Sequence, residues 1–407
     1  MSGKIKTILV VNSGSSSLKF MVFDMDGEKM LAKGLVERIG NPGSRLVYNR
    51  AGEEKTARAV KAPTHAEALK AVCAILADPE CGCLKSLKEI DAIGHRVLHG
   101  GESFSAPVLV DAAALKKLHK LIPLGPLHMP PNISGIEACR KAFKGVPNVA
   151  VFDTAFHQTM PPAAYRYAIP AKYYKKYALR KYGFHGTSHN YIVEAAAKFL
   201  KKPVSKVNLV TCHLGNGSSI AAVKNGKVLD TSMGLTPLAG LVMGTRSGDI
   251  DPAVAFFIGK TENLSCEQLD NLFNKQSGLQ GMTGVAGGDM RDICAKAKAG
   301  DEDCKTALEV FGHRAAFYVG GYNTLVGGAD AIIFTGGIGE NSDEGRRQII
   351  SRLGALGIKL DAKANAACRG VQGVVSTKDS KIPCVVIPTN EELMIARQTF
   401  REVSAAK

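Results

Sequence analysis

At 407 residues, with 45% hydrophobic residues and 43 glycines, the chain is long for a single core and reads as a two-domain α/β globular protein with many tight turns. Its net charge is +15, but the lysines are spread over helix faces (Lys116, Lys117, Lys120; Lys172, Lys175, Lys176; Lys201, Lys202) with no recognised module or aromatic stacking set, so no nucleic-acid partner is expected. No apolar run is long enough to span a membrane, the N-terminal run is too short for a signal peptide, and the ten scattered cysteines fit neither a disulfide framework nor a zinc cluster; a cytoplasmic protein with reduced thiols and no membrane partner is expected.

In chain order, residues 5–25 predict a hairpin. Ile8-Leu9-Val10-Val11 runs into Asn12-Ser13-Gly14-Ser15-Ser16-Ser17, a strand resumes at Leu18, and Asp26-Gly27 makes the turn. Further strands follow at 29–38 and 45–48. Thr64 is placed to cap a helix over 64–77, where Leu69, Val72, Cys73 and Leu76 repeat at helical spacing. A short buried strand at 90–97 ends in GHRVLHGG (94–101). Asp111 caps a helix to residue 121, a rigid loop covers 124–131, and a helix is expected over 132–143. Residues 149–152 form a strand that delivers Asp153. Residues 182–189 read as a loop leading into a helix over 190–200.

The stretch 209–219, LVTCHLGNGSS, then repeats the N-terminal device. A strand meets a glycine- and hydroxyl-rich reversal, a second strand follows, and Asn225-Gly226 makes the turn. Such loops let backbone N–H groups approach a phosphate, because glycine has no Cβ in the way. One such loop is an ordinary hairpin; its recurrence about two hundred residues later suggests duplicated halves holding a nucleotide between them. A loop-rich segment, 233–251, contains Pro237 and Gly244-Thr245-Arg246-Ser247-Gly248-Asp249. Helices are expected at 252–259, 266–276, 303–325 and 344–353, with a glycine-rich link at 284–288 ending in Asp289-Met290-Arg291-Asp292. A strand at 331–335 runs into a GGIGENS loop, and a last strand at 385–388 opens into Thr389-Asn390-Glu391-Glu392 and a terminal helix.

Arg96 and Arg246 stand among glycines, which suits forked contacts with carboxylate or phosphate. Asp153, at the end of a buried strand, is either a helix cap or an active-site carboxylate. Glu391-Glu392 either complements a helix dipole or offers a magnesium ligand. His95, His99, His128, His157, His185, His189 and His213 gather near loops without HExxH. They read better as hydrogen-bond donors to anionic oxygens, some of them structural, than as a zinc set. No GxxxxGK[ST] run exists, and the glycine loop after 331–335 reads as an adenosine platform rather than a dinucleotide fingerprint.

The ordered segments NSGSSSLKF (12–20), GHRVLHGG (94–101), PLHMPPN (126–132), FDTAFH (152–157), GFHGTSH (183–189), HLGNGSS (213–219), GTRSGDIDP (244–252), GGDMRD (287–292), FTGGIGENS (334–342) and TNEE (389–392) together resemble the acetate kinase family, within the acetate and sugar kinase/heat-shock chaperone/actin superfamily. The resemblance implies two actin-like (ribonuclease H-like) α/β domains related by duplication, with the active-site cleft between them. The first covers 1–150 and is completed by the C-terminal helix, about 388–407. The second covers 151–387 and carries the nucleotide loops and a homodimer interface. It implies reversible phosphoryl transfer between ATP and acetate, giving acetyl phosphate and ADP, with Mg²⁺ (Mn²⁺ able to substitute). Propionate is the alternative acceptor with the same mechanism.

By position, Asn12, Ser15, Ser17 and Lys19 fall on the first phosphate loop, and His213, Leu214, Gly215, Asn216 and Gly217 on the second. Arg96, Arg246, Asp153, His185, His128 and His213 match catalytic positions, and Glu391 with Asn12 the magnesium site. Asp289, Met290, Arg291, Gly337, Ile338, Gly339 and Asn341 match the nucleotide pocket. Leu98, Leu127, Phe184 and Pro237 match the pocket for the acyl methyl group, with Arg96 beside the carboxylate.

Overall fold

The computed structural model describes residues 5–406; Met1–Lys4 and Lys407, the outermost residues of the expected domains, lie outside the described residues. The chain divides into two compact units, one formed by Met1–Phe156 with Asn390–Lys407 and the other by His157–Thr389.

The first unit is built on strands β1 (Thr7–Ser13), β2 (Ser17–Asp24), β3 (Lys29–Glu37), β4 (Arg45–Arg50), β5 (Thr56–Ala59), β6 (Ala92–Val97), β7 (Val108–Leu109) and β8 (Asn148–Phe152). They form one sheet in the order β5-β4-β3-β2-β1-β6-β8-β7. β1 is antiparallel to β2, with Asn12 opposite Lys19, and parallel to β6, which is parallel to β8. β1 and β8 read as near-continuous apolar runs because both are central strands covered on two faces. Helices α1 (His65–Leu76), α2 (Ala112–Lys120) and α3 (Met129–Ala142) pack against this sheet. Thr64 caps α1 through the Ala66 N–H, and Leu69, Val72, Ile75 and Leu76 face the core; each such buried side chain is worth roughly 1.5–3 kcal/mol over its exposed state. The C-terminal helix, Glu391–Ala405, packs on β1, β6 and β8. It fits closely because Gly94 lacks a side chain: a Cβ there would lie 2.3 Å from Thr399 Oγ1 and 2.8 Å from Ile395 Cγ2.

The second unit repeats the pattern with β9 (Leu209–Leu214), β10 (Ser218–Lys224), β11 (Lys227–Thr231), β12 (Ala331–Thr335), β13 (Gly373–Val374) and β14 (Cys384–Val386), in the order β11-β10-β9-β12-β14-β13. Again an antiparallel hairpin (β9, β10) adjoins two parallel neighbours (β12, β14). The shared strand order is the duplicated actin-like unit. In each unit the carboxyl ends of the three parallel strands deliver loops to one sheet edge, where such folds bind ligands.

Around the second sheet lie α4 (Pro162–Tyr165), α5 (Ala171–Tyr177), α6 (Gly186–Phe199), α7 (Pro252–Thr261), α8 (Cys266–Lys275), α9 (Gly278–Thr283), α10 (Met290–Lys298), α11 (Glu302–Val326), α12 (Gly336–Asn341), α13 (Asp343–Ile350) and α14 (Ala362–Ala367). Helix α11 is the central one. Asp301 caps its start, Gly327 ends it at φ 80°, and Phe311, Ala315, Val319 and Tyr322 enter the core. All ten cysteines are free thiols. No helix among the described residues is long and apolar enough to cross a membrane.

Several boundaries differ from expectation. α3 starts at Met129 rather than at 132, because Pro130 and Pro131 occupy its first turn, where an N–H has no intrahelical acceptor to lose. α6 starts at Gly186 rather than at 190, so Gly186-Thr187-Ser188-His189 is helix, entered from His185 at φ 57°. The glycine loop after β12 is the short helix α12, entered through Gly336 at φ 77°; a Cβ there would lie 2.7 Å from the Leu214 carbonyl oxygen. α9 and α10 flank the expected glycine link, and α4 and α5 fill part of 162–177. The sequence signals of α9 were weak: it holds two glycines and is fixed by tertiary bonds, Leu279 N–H to Met243 O (2.9 Å) and Gln280 N–H to Gly244 O (2.8 Å).

Candidate active site

In the first unit, β1, β6 and β8 bring three expected segments to one edge. The loop after β1 closes with Gly14 N–H donating to Ser17 O at 2.8 Å. Asn12 and Ser17 are half-buried, and Ser15 and Lys19 are exposed. Two residues outside the expected set hold this loop. His65 Nε2 donates to Gly14 O at 2.7 Å. Asn132, buried in α3, donates to Ser13 O at 2.6 Å and accepts the Leu98 N–H at 3.0 Å, tying the start of this loop to the end of β6. An asparagine after two prolines carries no sequence signal for that bridge.

Arg96, near the end of β6, lies against Asp153, just past β8. Nε is 3.3 and 3.1 Å from the two carboxylate oxygens, and the second nitrogen donates at 2.6 Å. Asp153 is buried, and its carboxylate clamps Arg96. The fork is thereby fixed in one plane, with 28% of the arginine side chain still exposed to meet another anion. Asp153, Glu391 and Glu392 together hold the Arg96 guanidinium firmly charged.

Glu391 opens the C-terminal helix behind the Asn390 cap, whose side chain accepts the Leu393 N–H. Burial pushes the Glu391 carboxyl up to about 7, with Arg96 pulling it down and Asp153 and Glu392 adding to the rise. A half-buried carboxyl crowded by two others suits a bound divalent cation, which would replace the proton. His128 is exposed at the N-cap position of α3. Leu98 is half-buried, with its Cδ2 3.1 Å from where a Gly125 Cβ would stand; Leu127 is 66% exposed and closes no pocket within this unit.

In the second unit, His185, His213, Gly217 and Arg246 converge. The His185 and His213 rings stack with centroids 4.3 Å apart. A Cβ at Gly217 would lie 3.1 Å from His185 Nε2 and 3.3 Å from an Arg246 terminal nitrogen, so a larger residue would have to push one of them aside by a few tenths of an ångström. Ser188, in the first turn of α6, bridges His213 Nδ1 and Thr389 Oγ1, each at 2.8 Å. Arg246 differs from Arg96: among the described residues it has no ion pair. Its terminal nitrogen reaches only Pro237 O (3.4 Å) and Met243 Sδ (3.8 Å), and burial lowers its pKa. A desolvated guanidinium without an acid is a ready anion site. Phe184 is buried and Pro237 half-buried.

Beside this group lies a cavity of about 780 Å³, lined by Gly215, Asn216, Asp289, Met290, Arg291, Gly337, Ile338 and Asn341 among others. These eight were all singled out in the sequence; His213, Leu214, Gly217 and Gly339 do not line it. Lys298 and Arg369, not singled out, do. Gly244 lets two walls meet: its Cβ would fall 1.8 Å from Asn216 Oδ1 and 2.6 Å from Gly287 O. Glu340 fixes α12 by accepting the Gly336 N–H (2.8 Å) and the Thr389 N–H (3.1 Å).

The remaining histidines are structural in their contacts. His95 meets Asn148 Oδ1 at 2.7 Å, and burial lowers its pKa to about 4. His99 Nδ1 accepts the Gly101 N–H, and burial lowers its pKa to about 4 also. His157 Nε2 donates to Phe184 O, and His189 uses both nitrogens on Thr211 and Ser219 hydroxyls.

A model of the Acetokinase family matches residues 7–397. The chain is 54% identical to an acetate kinase of Thermotoga maritima over 393 residues, covering 96% of this chain and 97% of that one. An acetate kinase structure from Porphyromonas gingivalis superposes with a TM-score of 0.94 at 43% identity, covering 98% of this chain and all of the other. A propionate kinase structure from Francisella tularensis gives 0.90 at 44% identity, covering 97% and 99%. With the family model spanning both units and near-complete coverage of these relatives, the chain belongs to the acetokinase family.

Proposed function

We propose that this protein transfers the terminal phosphoryl group of ATP reversibly to acetate, giving acetyl phosphate and ADP. The observation that carries the reading is the cavity of about 780 Å³ lined by glycines, Asn216 and the Asp289–Arg291 turn, beside the acid-free Arg246. It offers room for a nucleotide and an unneutralised cation where phosphate charge would sit.

An acetate oxygen is already anionic at neutral pH, so in-line attack on the γ-phosphorus needs no general base. The work is positioning and charge compensation. Arg96, held planar by Asp153, takes the acetate carboxylate or an equatorial phosphoryl oxygen. Arg246 meets the charge on the transferring group, and His185 and His213 donate hydrogen bonds to it. Glu391 and Asn12 are the residues that would hold Mg²⁺, which when bound offsets phosphate charge. Leu98, Leu127, Phe184 and Pro237 contribute the apolar surface for the acyl methyl group.

We place the enzyme in the cytosol as a homodimer. Support for the dimer comes from the second unit, where Phe317 (68% exposed) and Leu325 (51%) on α11 and Phe256 (75%) and Phe257 (70%) on α7 are bare large hydrophobics. The test is hydroxylamine-trapped acyl phosphate with ATP and Mg²⁺, using acetate, propionate and butyrate side by side. Strong product with acetate and less with propionate supports the reading. A preference for propionate reassigns the acceptor, and acid-independent ATP hydrolysis with no acyl phosphate overturns it.

A further inference from the structure

Asp249 closes the loop that carries Arg246, yet nothing in the proposed chemistry uses it. Its N–H donates to Gly240 O at 3.0 Å, and its Oδ1 accepts the Gly240 N–H at 2.7 Å, so residues 240 and 249 form the base of the loop. That base leaves no room for side chains. Gly240 has φ 101° and Gly248 φ 71°, and a Cβ at Gly248 would lie 2.4 Å from Leu241 O. The other carboxylate oxygen, Oδ2, accepts the Tyr318 hydroxyl of α11 at 2.5 Å. Tyr318 is half-buried and packs edge-on against the Tyr322 ring, with centroids 5.5 Å apart.

The tip of the loop is held separately. Thr245 O accepts from Ser277 N–H at 3.1 Å, Met243 N–H donates to Arg246 O at 3.1 Å, Ser247 N–H donates to Phe273 O at 3.0 Å, the Thr245 hydroxyl donates to Asn274 O at 3.0 Å, Gly244 N–H donates to Asn216 O at 3.1 Å, and α9 adds its bonds to Met243 and Gly244. Arg246 itself has no acid partner to fix its guanidinium, so its position comes from the backbone beneath it. The Tyr318 hydroxyl is the side-chain group, outside the loop, that holds the base.

We propose that Tyr318 is a positioning residue for Arg246: by donating to Asp249 it fixes the base of the 240–249 loop and so the place of the guanidinium. This rests on the proposed role of Arg246 in meeting phosphoryl charge. Without the hydroxyl, Asp249 keeps only its two bonds to Gly240, and the base of the loop loses its tie to α11. A guanidinium displaced by a fraction of an ångström stabilises a transition state less while binding ATP about as well.

The test is a double-mutant cycle on the full-length protein, read by acyl phosphate formation and by thermal unfolding. Tyr318→Phe in the otherwise native chain is expected to lower kcat about ten- to a hundredfold, with KM for ATP changed less than about twofold. In an Arg246→Ala background the same change is expected to cost less than about twofold, since the group it positions is gone. Equal fractional losses in both backgrounds, or an unchanged kcat in the single variant, overturn the proposal. A normally active Arg246→Ala protein removes the role of Arg246, and the positioning role with it. Should Tyr318→Phe fail to fold, Asp249→Asn, which keeps the shape and loses the charge, is run through the same cycle with the same two outcomes.

Discussion

Asp153→Asn probes the Arg96 clamp with the smallest change in shape. The native carboxylate engages Arg96 at 3.3, 3.1 and 2.6 Å from a side chain that is 1% exposed. Asparagine keeps one acceptor, turns the other oxygen into a donor facing a guanidinium, and removes the charge. Breaking one side of a buried ion pair costs about 3–5 kcal/mol, and because 28% of the Arg96 side chain still meets solvent, about 2–3 kcal/mol is the expected loss here. That corresponds to a fall in Tm of about 5–10 °C for a unit of this size. The same change frees the arginine fork, so kcat should fall about a hundredfold or more. Calorimetry and the hydroxamate assay on one preparation read both effects. A variant with native Tm and kcat within threefold would refute the reasoning, since it would show that neither the fold nor the chemistry depends on the clamp.

Gly244→Ala drives a methyl into Asn216 Oδ1 and the Gly287 backbone; calorimetric titration should show ATP affinity falling at least about tenfold, and native affinity would contradict the cavity walls as described. The raised Glu391 carboxyl gives a pH signature. A folded pKa of about 7 above the ordinary 4.5 means this group stabilises the metal-free protein fully at low pH, and that contribution is lost as pH rises through 7. Mg²⁺ binding just below pH 7 should therefore release a proton, seen as a buffer-dependent binding enthalpy that Glu391→Gln abolishes; no buffer dependence in the native protein counts against Glu391 as ligand. Leu98→Ala should shift the propionate-to-acetate ratio of kcat/KM upward by about ten- to a hundredfold, within the worth of one methylene, and an unchanged ratio removes Leu98 from the acyl pocket.

The sequence carried the strands well where burial demanded it. β1, β9 and β12 are apolar runs ended by glycine or small polar residues, and their ends are where the loops begin. It carried individual chemistry less well. Asp153 could be read as a cap or as a carboxylate, because only the parallel pairing of β6 with β8 brings Arg96 to it. Asn132, which links Ser13 O to the Leu98 N–H, and Tyr318, which meets Asp249, act across 119 and 69 residues of chain, and no local pattern marks such contacts. Helices α9 and α12 escaped for the opposite reason: glycine lowers their propensity, and bonds from α9 to Met243 and Gly244, and from Thr389 N–H to Glu340 of α12, make up the difference.

In the proposed mechanism two arginines, one clamped and one without an acid partner, handle the charge of a direct transfer between ATP and a carboxylate. The measurement that tests it most directly is the rate of acyl phosphate formation by Arg96→Ala and Arg246→Ala, with ATP binding followed by titration. Each variant is expected to lose more than about a hundredfold in turnover while still binding ATP, consistent with the ~10³–10⁵ that a positioned arginine supplies in phosphoryl transfer. Near-native turnover in either variant, with ATP bound, would contradict the account.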